Sequence, residues 1–257
     1  MGQGVRQHVR RPVRTRDQVL LTALLAVLVA AFLSVAAVGH NFFDLRVYHG
    51  AITYWVHDGG QLYDWLKPNS RYGYTYPPFA ALLMLPMAYL PWPVVVVASV
   101  AVSAAATAAL LWWLVAPLAR RQGWPLWFTL AVAFCLAAAF EPVRETVDFG
   151  QVNMVLLGLV AADLLRLVAR GSRWGGVGVG LATAIKLTPG IFIVYLLVTG
   201  RWRAMLVASG TAAAATVVAG AAAPDASREF WTEALWNTNR VGSLSFISNQ
   251  SWQGVVA

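Results

Sequence analysis

Apolar positions in this chain are gathered into long runs separated by short polar stretches. The first run covers about Val19–Val38. Others cover about Pro77–Leu90, Val94–Ala116, Leu126–Phe140, Val152–Val168, Trp174–Gly200 and Ala204–Ala223. A membrane-crossing helix needs about 20 predominantly apolar residues. The first run has that length and exceeds the core of a cleavable signal peptide, so it reads as a retained span. The pattern predicts an all-α, polytopic membrane protein forming a single transmembrane domain over 1–257.

Two stretches break the simple pattern. In the first, Leu45, Tyr48, Ile52, Trp55 and Val56 fall at helical spacing, while Arg46, Gly50, Thr53 and His57 fall on another face. That spacing predicts an amphipathic helix lying in the membrane interface. Asp58-Gly59-Gly60 supplies its stop. Asp44 then stands at the amino end, where Asp is a preferred N-cap. The same place, at the edge of a membrane, also suits a catalytic base, and the residues alone leave both roles open. In the second stretch, Lys186-Leu187-Thr188-Pro189-Gly190 interrupts Trp174–Gly200, and Thr188 is biased away from helical geometry by the proline after it. Basic residues flank this run on both sides. One kinked helix with Lys186 snorkelling explains the break, but two half-length helices meeting at Lys186–Pro189 satisfy both the flanks and the break. A lysine near mid-membrane is costly and usually functional.

Composition agrees with the runs. Apolar residues make up 59% and charged residues 12% of the chain, against roughly 45–50% and about 25% in soluble domains. The single Cys135 excludes an intrachain disulfide and argues against a thiol metal site. The net charge of +8 would suit nucleic acid, but its distribution follows the membrane instead. Arg6, Arg10, Arg11, Arg14 and Arg16 precede the first run, in a basic arm over 1–17. Arg120/Arg121, Arg170/Arg173 and Arg201/Arg203 are bare basic pairs. Assigning these to the cytoplasm leaves the mixed loops 40–76, 141–151 and 224–252 outside, with nine of the 11 acids. Trp92, Trp112, Trp113, Trp124, Trp127, Trp174 and Trp202 cluster at run ends, as interface anchors do. On this scheme Pro77–Pro117 needs an odd number of crossings, although its length suits two. Either Pro77–Leu90 does not cross, or the Arg120 pair lies outside.

The outer loops carry the candidate chemistry. Glu141–Asn153 packs charges and amides into one turn, where Arg144 suits a phosphate and Gln151 and Asn153 suit sugar hydroxyls. A solvated turn with an internal ion pair explains the same residues. Arg71–Pro78 is an aromatic segment that could equally be an interfacial belt. Ser248-Asn249-Gln250-Ser251-Trp252 sets amides beside an aromatic. Gly175–Gly180 is explained better by close helix packing than by phosphate binding.

Taken in order, Asp44-Leu45-Arg46-Val47-Tyr48, Tyr74-Thr75-Tyr76-Pro77-Pro78-Phe79, Gly150-Gln151-Val152-Asn153, Gly180–Pro189 and Ser248–Ser251 resemble bacterial family 87 glycosyltransferases of the C-type superfamily. That group includes actinobacterial polyprenol-phosphate-mannose-dependent α-(1→2)-mannosyltransferases. The resemblance implies a C-type helical bundle in the plasma (inner) membrane, with a cytoplasmic amino terminus and a site on the outer, periplasmic face. It implies a polyprenyl-phosphate sugar donor and a glycolipid acceptor such as a phosphatidylinositol mannoside, lipomannan or lipoarabinomannan, and no nucleic acid. It makes Asp44 the expected base. Lys186, Arg144 and His49 become candidate partners of the donor phosphate, and Gln151, Asn153, Asn249, Gln250 and Tyr76 candidate binders of sugar and acceptor. The donor's lipid tail is expected near Tyr76–Phe79. Many C-type relatives carry Asp-x-Asp in the first outer loop. Here Arg46 replaces the second acid, which weakens a loop-bound divalent metal, and no cofactor is expected. Family members are longer, with more spans toward the carboxyl end, so a truncated form is expected. The rival classes are an arabinofuranosyltransferase using the same lipid carrier, a glycolipid transporter or flippase, and a structural or assembly subunit. Broken helices around a mid-membrane Lys also occur in transporters, but the chain shows no convincing internal repeat.

Overall fold

The computed structural model describes residues 14–36 and 39–237 of the protein. Asn249, Gln250 and most of the basic arm lie outside the described residues. Within them the chain is helical, and Leu66 and Gly73 form one isolated antiparallel bridge.

The long apolar runs become α1 (Thr15–Ala36), α4 (Trp92–Gln122) and α10 (Trp202–Ala222). These three helices are long and apolar enough to cross a membrane. A fourth crossing is available if α5 (Leu126–Ala139) and α6 (Glu141–Phe149) act together, although a 65° bend separates them. Phe140 is extended between the two and Pro142 opens α6, so the bend has a local cause. Proline also opens α3 (Pro78–Met84) and α11 (Pro224–Glu229), where its missing N–H costs nothing.

Pro77–Leu90 is too short to cross. It folds as α3 and a 3₁₀ segment, Leu85–Tyr89. At 1.5 and 2.0 Å per residue the pair covers about 20 Å, against a hydrocarbon core of about 30 Å. Between Pro77 and Pro117 only α4, at 31 residues, has the required length.

Trp174–Gly200 folds as two half-length helices, α8 (Val177–Ile185) and α9 (Ile191–Val198). Lys186 is extended between them, and a 3₁₀ turn follows at Thr188–Gly190. The glycines of α8 serve packing. A Cβ at Gly176 would lie 2.1 Å from the carbonyl oxygen of Ala204, and one at Gly180 2.4 Å from that of Ala208. Both contacts are on α10, which therefore approaches to backbone distance. Asp163 ends α7 (Asn153–Ala162) and starts a π-helical turn, Asp163–Val168. Its carboxylate is fully buried and accepts the N–H groups of Gly176 (2.8 Å) and Val179 (2.9 Å). An acid on one helix thus caps the next, where backbone donors and the helix dipole favour negative charge.

The expected amphipathic helix is α2 (Phe43–His57), with Asp58 as C-cap and Gly59 at φ 68°. It buries Leu45, Val47, Tyr48, Ala51 and Ile52. Its apolar face meets protein, because those residues share one core with Leu62, Tyr63, Tyr74, Tyr76 and Ala80. The aromatic segment before α3 is accordingly a core plug more than a belt: Tyr63 and Tyr74 are fully buried, and Tyr63 donates to the Tyr76 carbonyl (2.7 Å).

Candidate active site

The site begins with the turn that starts α2. Asn41 and Phe42 both take left-handed geometry, at φ 52° and 53°, which disfavours L residues. Four hydrogen bonds hold the turn. The backbone N–H of Phe42 donates to the Asp148 carbonyl (2.9 Å), and that of His40 to the Asp148 carboxylate (3.2 Å). Arg46 reaches back to Asn41, with Nε on its carbonyl (3.0 Å) and Nη2 on its side-chain oxygen (3.2 Å), and its guanidinium lies 4.5 Å over the Trp92 ring. Arg46, two residues after Asp44, therefore clamps the turn.

With Phe42 as N-cap, Asp44 falls inside the first helical turn, and no side chain caps α2. This corrects the capping alternative. The Asp44 carboxylate instead accepts a hydrogen bond from Gln151 Nε2, more than a hundred residues away in sequence. Gln151 is aimed by the turn between α6 and α7. Gly150 there adopts φ 70°, and a Cβ on it would sit 2.6 Å from that of Leu45. Gln151 Oε1 accepts from Asn153 Nδ2, and Asn153 Oδ1 accepts from Lys186 Nζ at 3.0 Å. Asp44, Gln151, Asn153 and Lys186 thus form one chain of hydrogen bonds from carboxylate to ammonium.

Burial is the main influence on Asp44 and raises its pKa above the ordinary value. The bond from Gln151 and the charges of Lys186 and His40 act the other way. Tyr76 lies under Lys186, whose Nζ is 5.2 Å from its ring centroid, a cation–π distance. Tyr48 donates to the Tyr76 hydroxyl (2.9 Å). Burial pushes Tyr76 up to about 12, so its phenol is neutral at physiological pH.

The other candidates are dispersed. His49 packs on Trp92 at 5.6 Å, and its buried Nε2 has no hydrogen-bond partner among the described residues. Arg144 pairs with Glu145 (3.0 Å) and sits 5.8 Å from the Phe32 ring of α1. Sequence reading missed Asp163, Tyr48 and His40. His40 lies between Glu145 (3.5 Å) and Asp148 (3.7 Å). These three offer ligand atoms within 4.8 Å of one another, and among the described residues they are the group able to hold a cation. Asp44 is not part of that group.

Two apolar cavities adjoin the site. A groove of about 260 Å³ starts at Asn153 and runs between Leu156, Val160, Thr188, Pro189 and Phe192. A larger cavity of about 300 Å³ lies among α1, α4, α5 and α6, with Phe42 in its wall.

The family model for glycosyltransferase family 87 matches residues 74–257. The chain belongs to glycosyltransferase family 87. Its matched region takes in Tyr76, Gln151, Asn153 and Lys186, while Asp44 precedes it. The chain is 34% identical over 233 residues to a polyprenol-phosphate-mannose-dependent α-(1-2)-phosphatidylinositol mannoside mannosyltransferase of Mycolicibacterium smegmatis, covering 83% of this chain and 51% of that protein. It is 33% identical over 258 residues to a second protein of that organism, a polyprenol-phosphate-mannose-dependent α-(1-2)-phosphatidylinositol pentamannoside mannosyltransferase, covering 96% and 60%. A Mycobacterium tuberculosis phosphatidylinositol mannoside mannosyltransferase is 30% identical over 255 residues, with 91% and 58% covered. The chain spans about half to three fifths of the length of these family members. No solved structure matches it.

Proposed function

We propose that this family 87 protein transfers mannose from a polyprenyl phosphate to a mannoside hydroxyl of a membrane glycolipid, on the outer face of the plasma membrane. The observation that carries this reading is the hydrogen-bonded chain from Asp44 to Lys186. It sets a carboxylate at one end of the site and a cation at the other, which is what the reaction needs. The leaving phosphate is already stable as an anion and requires no general acid. It requires a positive charge beside it, which Lys186 supplies. Asp44 accepts the proton of the acceptor hydroxyl as the new bond forms. A single displacement of this kind inverts the anomeric centre, so a β-linked donor gives an α-linked product.

The relatives' names support mannose as the sugar and a phosphatidylinositol mannoside as the acceptor. The groove that starts at Asn153 suits the donor's isoprenoid chain, because it leaves the site at the Lys186 end. This moves the tail away from Tyr76–Phe79, where Tyr76 is buried against Tyr48. Charge supports the orientation: with α3 too short to cross, α1 and α4 leave the basic start of α1 and the Arg120/Arg121 pair on one side, read as cytoplasmic, and the loop 40–76 on the other.

The test is transfer of labelled mannose from polyprenyl-phosphate mannose by membranes holding the protein. Asp44→Asn should abolish transfer while the protein stays inserted, and near-normal turnover would remove Asp44 from the base role.

A further inference from the structure

The cavity of about 300 Å³ among α1, α4, α5 and α6 has no part in the mechanism above. Its interior is hydrocarbon, including Leu33, Val100, Ala104 and Phe134. One hydroxyl, that of Thr107, faces this region, and it is already satisfied by the Ser103 carbonyl at 2.8 Å. Such a wall gives water and sugars nothing to bond and suits an apolar chain. The wall along α4 runs from Val100 to Thr107, about 10 Å of helix. Charge occurs only where α6 meets the cavity, at Arg144 and Asp148. Glu145 takes one N–H of Arg144, and a guanidinium has five to give. The cavity is therefore amphiphilic in layout, with a long apolar wall and, at its α6 side, a cation and a carboxylate, the latter accepting the His40 backbone N–H.

Its place in the fold decides which amphiphile it suits. Phe42 lines it, and Phe42 is the N-cap of the helix that carries Asp44 two residues on. The cavity thus adjoins the base end of the hydrogen-bonded chain, whereas the groove at Asn153 adjoins the cation end. The molecule that must reach Asp44 is the acceptor. We propose that this cavity seats an acyl chain of the glycolipid acceptor, with Arg144 binding that lipid's phosphate. This assignment rests on the transfer reaction proposed above only for which lipid is the acceptor; the presence of a lipid chain here can be tested without it.

Two measurements test it. In the first, Ala104→Trp fills the cavity. The KM for an acylated phosphatidylinositol mannoside should rise about tenfold or more, equivalent to about 1.4 kcal/mol. Transfer to the deacylated, water-soluble mannoside and the KM for the donor should stay unchanged. An unchanged KM for the acylated acceptor would overturn the proposal, as would equal loss with both acceptors. In the second, the wild-type protein in phosphatidylcholine vesicles is photolabelled by phosphatidylinositol carrying a diazirine on its acyl chain, or by a diazirine polyprenyl phosphate. The acyl probe should mark Leu33, Val100 or Phe134, and Arg144→Met should reduce that mark. Marking there by the polyprenyl probe instead gives the cavity to the donor. No marking by either probe means that protein fills it. Acyl marking in a protein that transfers no mannose would sink the proposed function and leave the lipid site standing.

Discussion

Asp44 and Lys186 are joined through two amides. Lys186 donates to Asn153, Asn153 to Gln151, and Gln151 to the Asp44 carboxylate. Every donor points toward the acid, so each bond polarises the next in the same sense. The proposed base is held in position by a series whose far end is the cation proposed to take the leaving phosphate.

Removing Gln151 should move the pH dependence of transfer. Asp44 already titrates above the ordinary carboxylate because it is buried, and the Gln151 bond opposes that shift. In Gln151→Leu the Asp44 pKa rises further. The base must be ionised, so the acidic limb of kcat/KM moves to higher pH, and turnover falls about 10- to 100-fold with loss of a bond to a charged group. A pH profile of mannosyl transfer checks this, and a limb that does not move would refute it.

Lys186→Met should act at both ends of the series. The donor KM rises, and the acidic limb moves up because the positive charge that lowers Asp44 is gone. Lys186→Arg keeps the charge and should leave the limb near its original place. Initial rates across pH for both variants separate the charge from the geometry.

Asp44→Asn should stabilise the fold at neutral pH while it removes activity. A carboxyl whose folded pKa is raised favours folding below its unfolded pKa and loses that advantage as pH rises through the folded value. The uncharged amide avoids the loss. Thermal unfolding in detergent at pH 7 should give Asp44→Asn the higher Tm, and the gap should close as pH falls below the ordinary carboxylate value of 3.8.

Gly150→Ala should uncouple Gln151 from Asp44. The new methyl group meets Leu45 at 2.6 Å in a left-handed backbone, where an L residue costs roughly 1–2 kcal/mol before any clash. Transfer should drop, and Leu45→Gly in the same chain, which removes the Cβ that the new methyl meets, should restore part of it. Failure of that rescue in a transfer assay would show that the strain, rather than the contact, dominates.

Asp163→Ala leaves the buried N–H groups of Gly176 and Val179 without their acceptor, at about 1–3 kcal/mol for each. A clear drop in Tm in detergent is expected.

Local patterns were readable in the sequence. The apolar runs gave the spans. Pro189 and the basic flanks gave the break at Lys186, and Asp58-Gly59 gave the end of α2. Each of these signals acts within a few residues. The pairing of Gln151 with Asp44 was not readable, because nothing at either position encodes a contact across more than a hundred residues. The N-cap reading of Asp44 failed for a related reason: Asp148, from a distant helix, holds His40 and Phe42 in the turn that starts α2 two residues early. The role of Asp163 was not readable either, since its partners are backbone groups of another helix.

The half-helix α8 has neighbours at backbone distance on more than one side. Gly176 and Gly180 meet carbonyls of α10, and Gly178 would place a Cβ 2.6 Å from the Leu159 carbonyl of α7. Side-chain growth at these positions is closed in two directions. On α9, by contrast, Ile191, Val194 and Val198 are exposed. Sequence drift across the Lys186 break should therefore be lopsided: the segment before the lysine is constrained almost atom by atom, while the exposed face of α9 is free to vary as long as it stays apolar and only its buried Leu196 is held by packing.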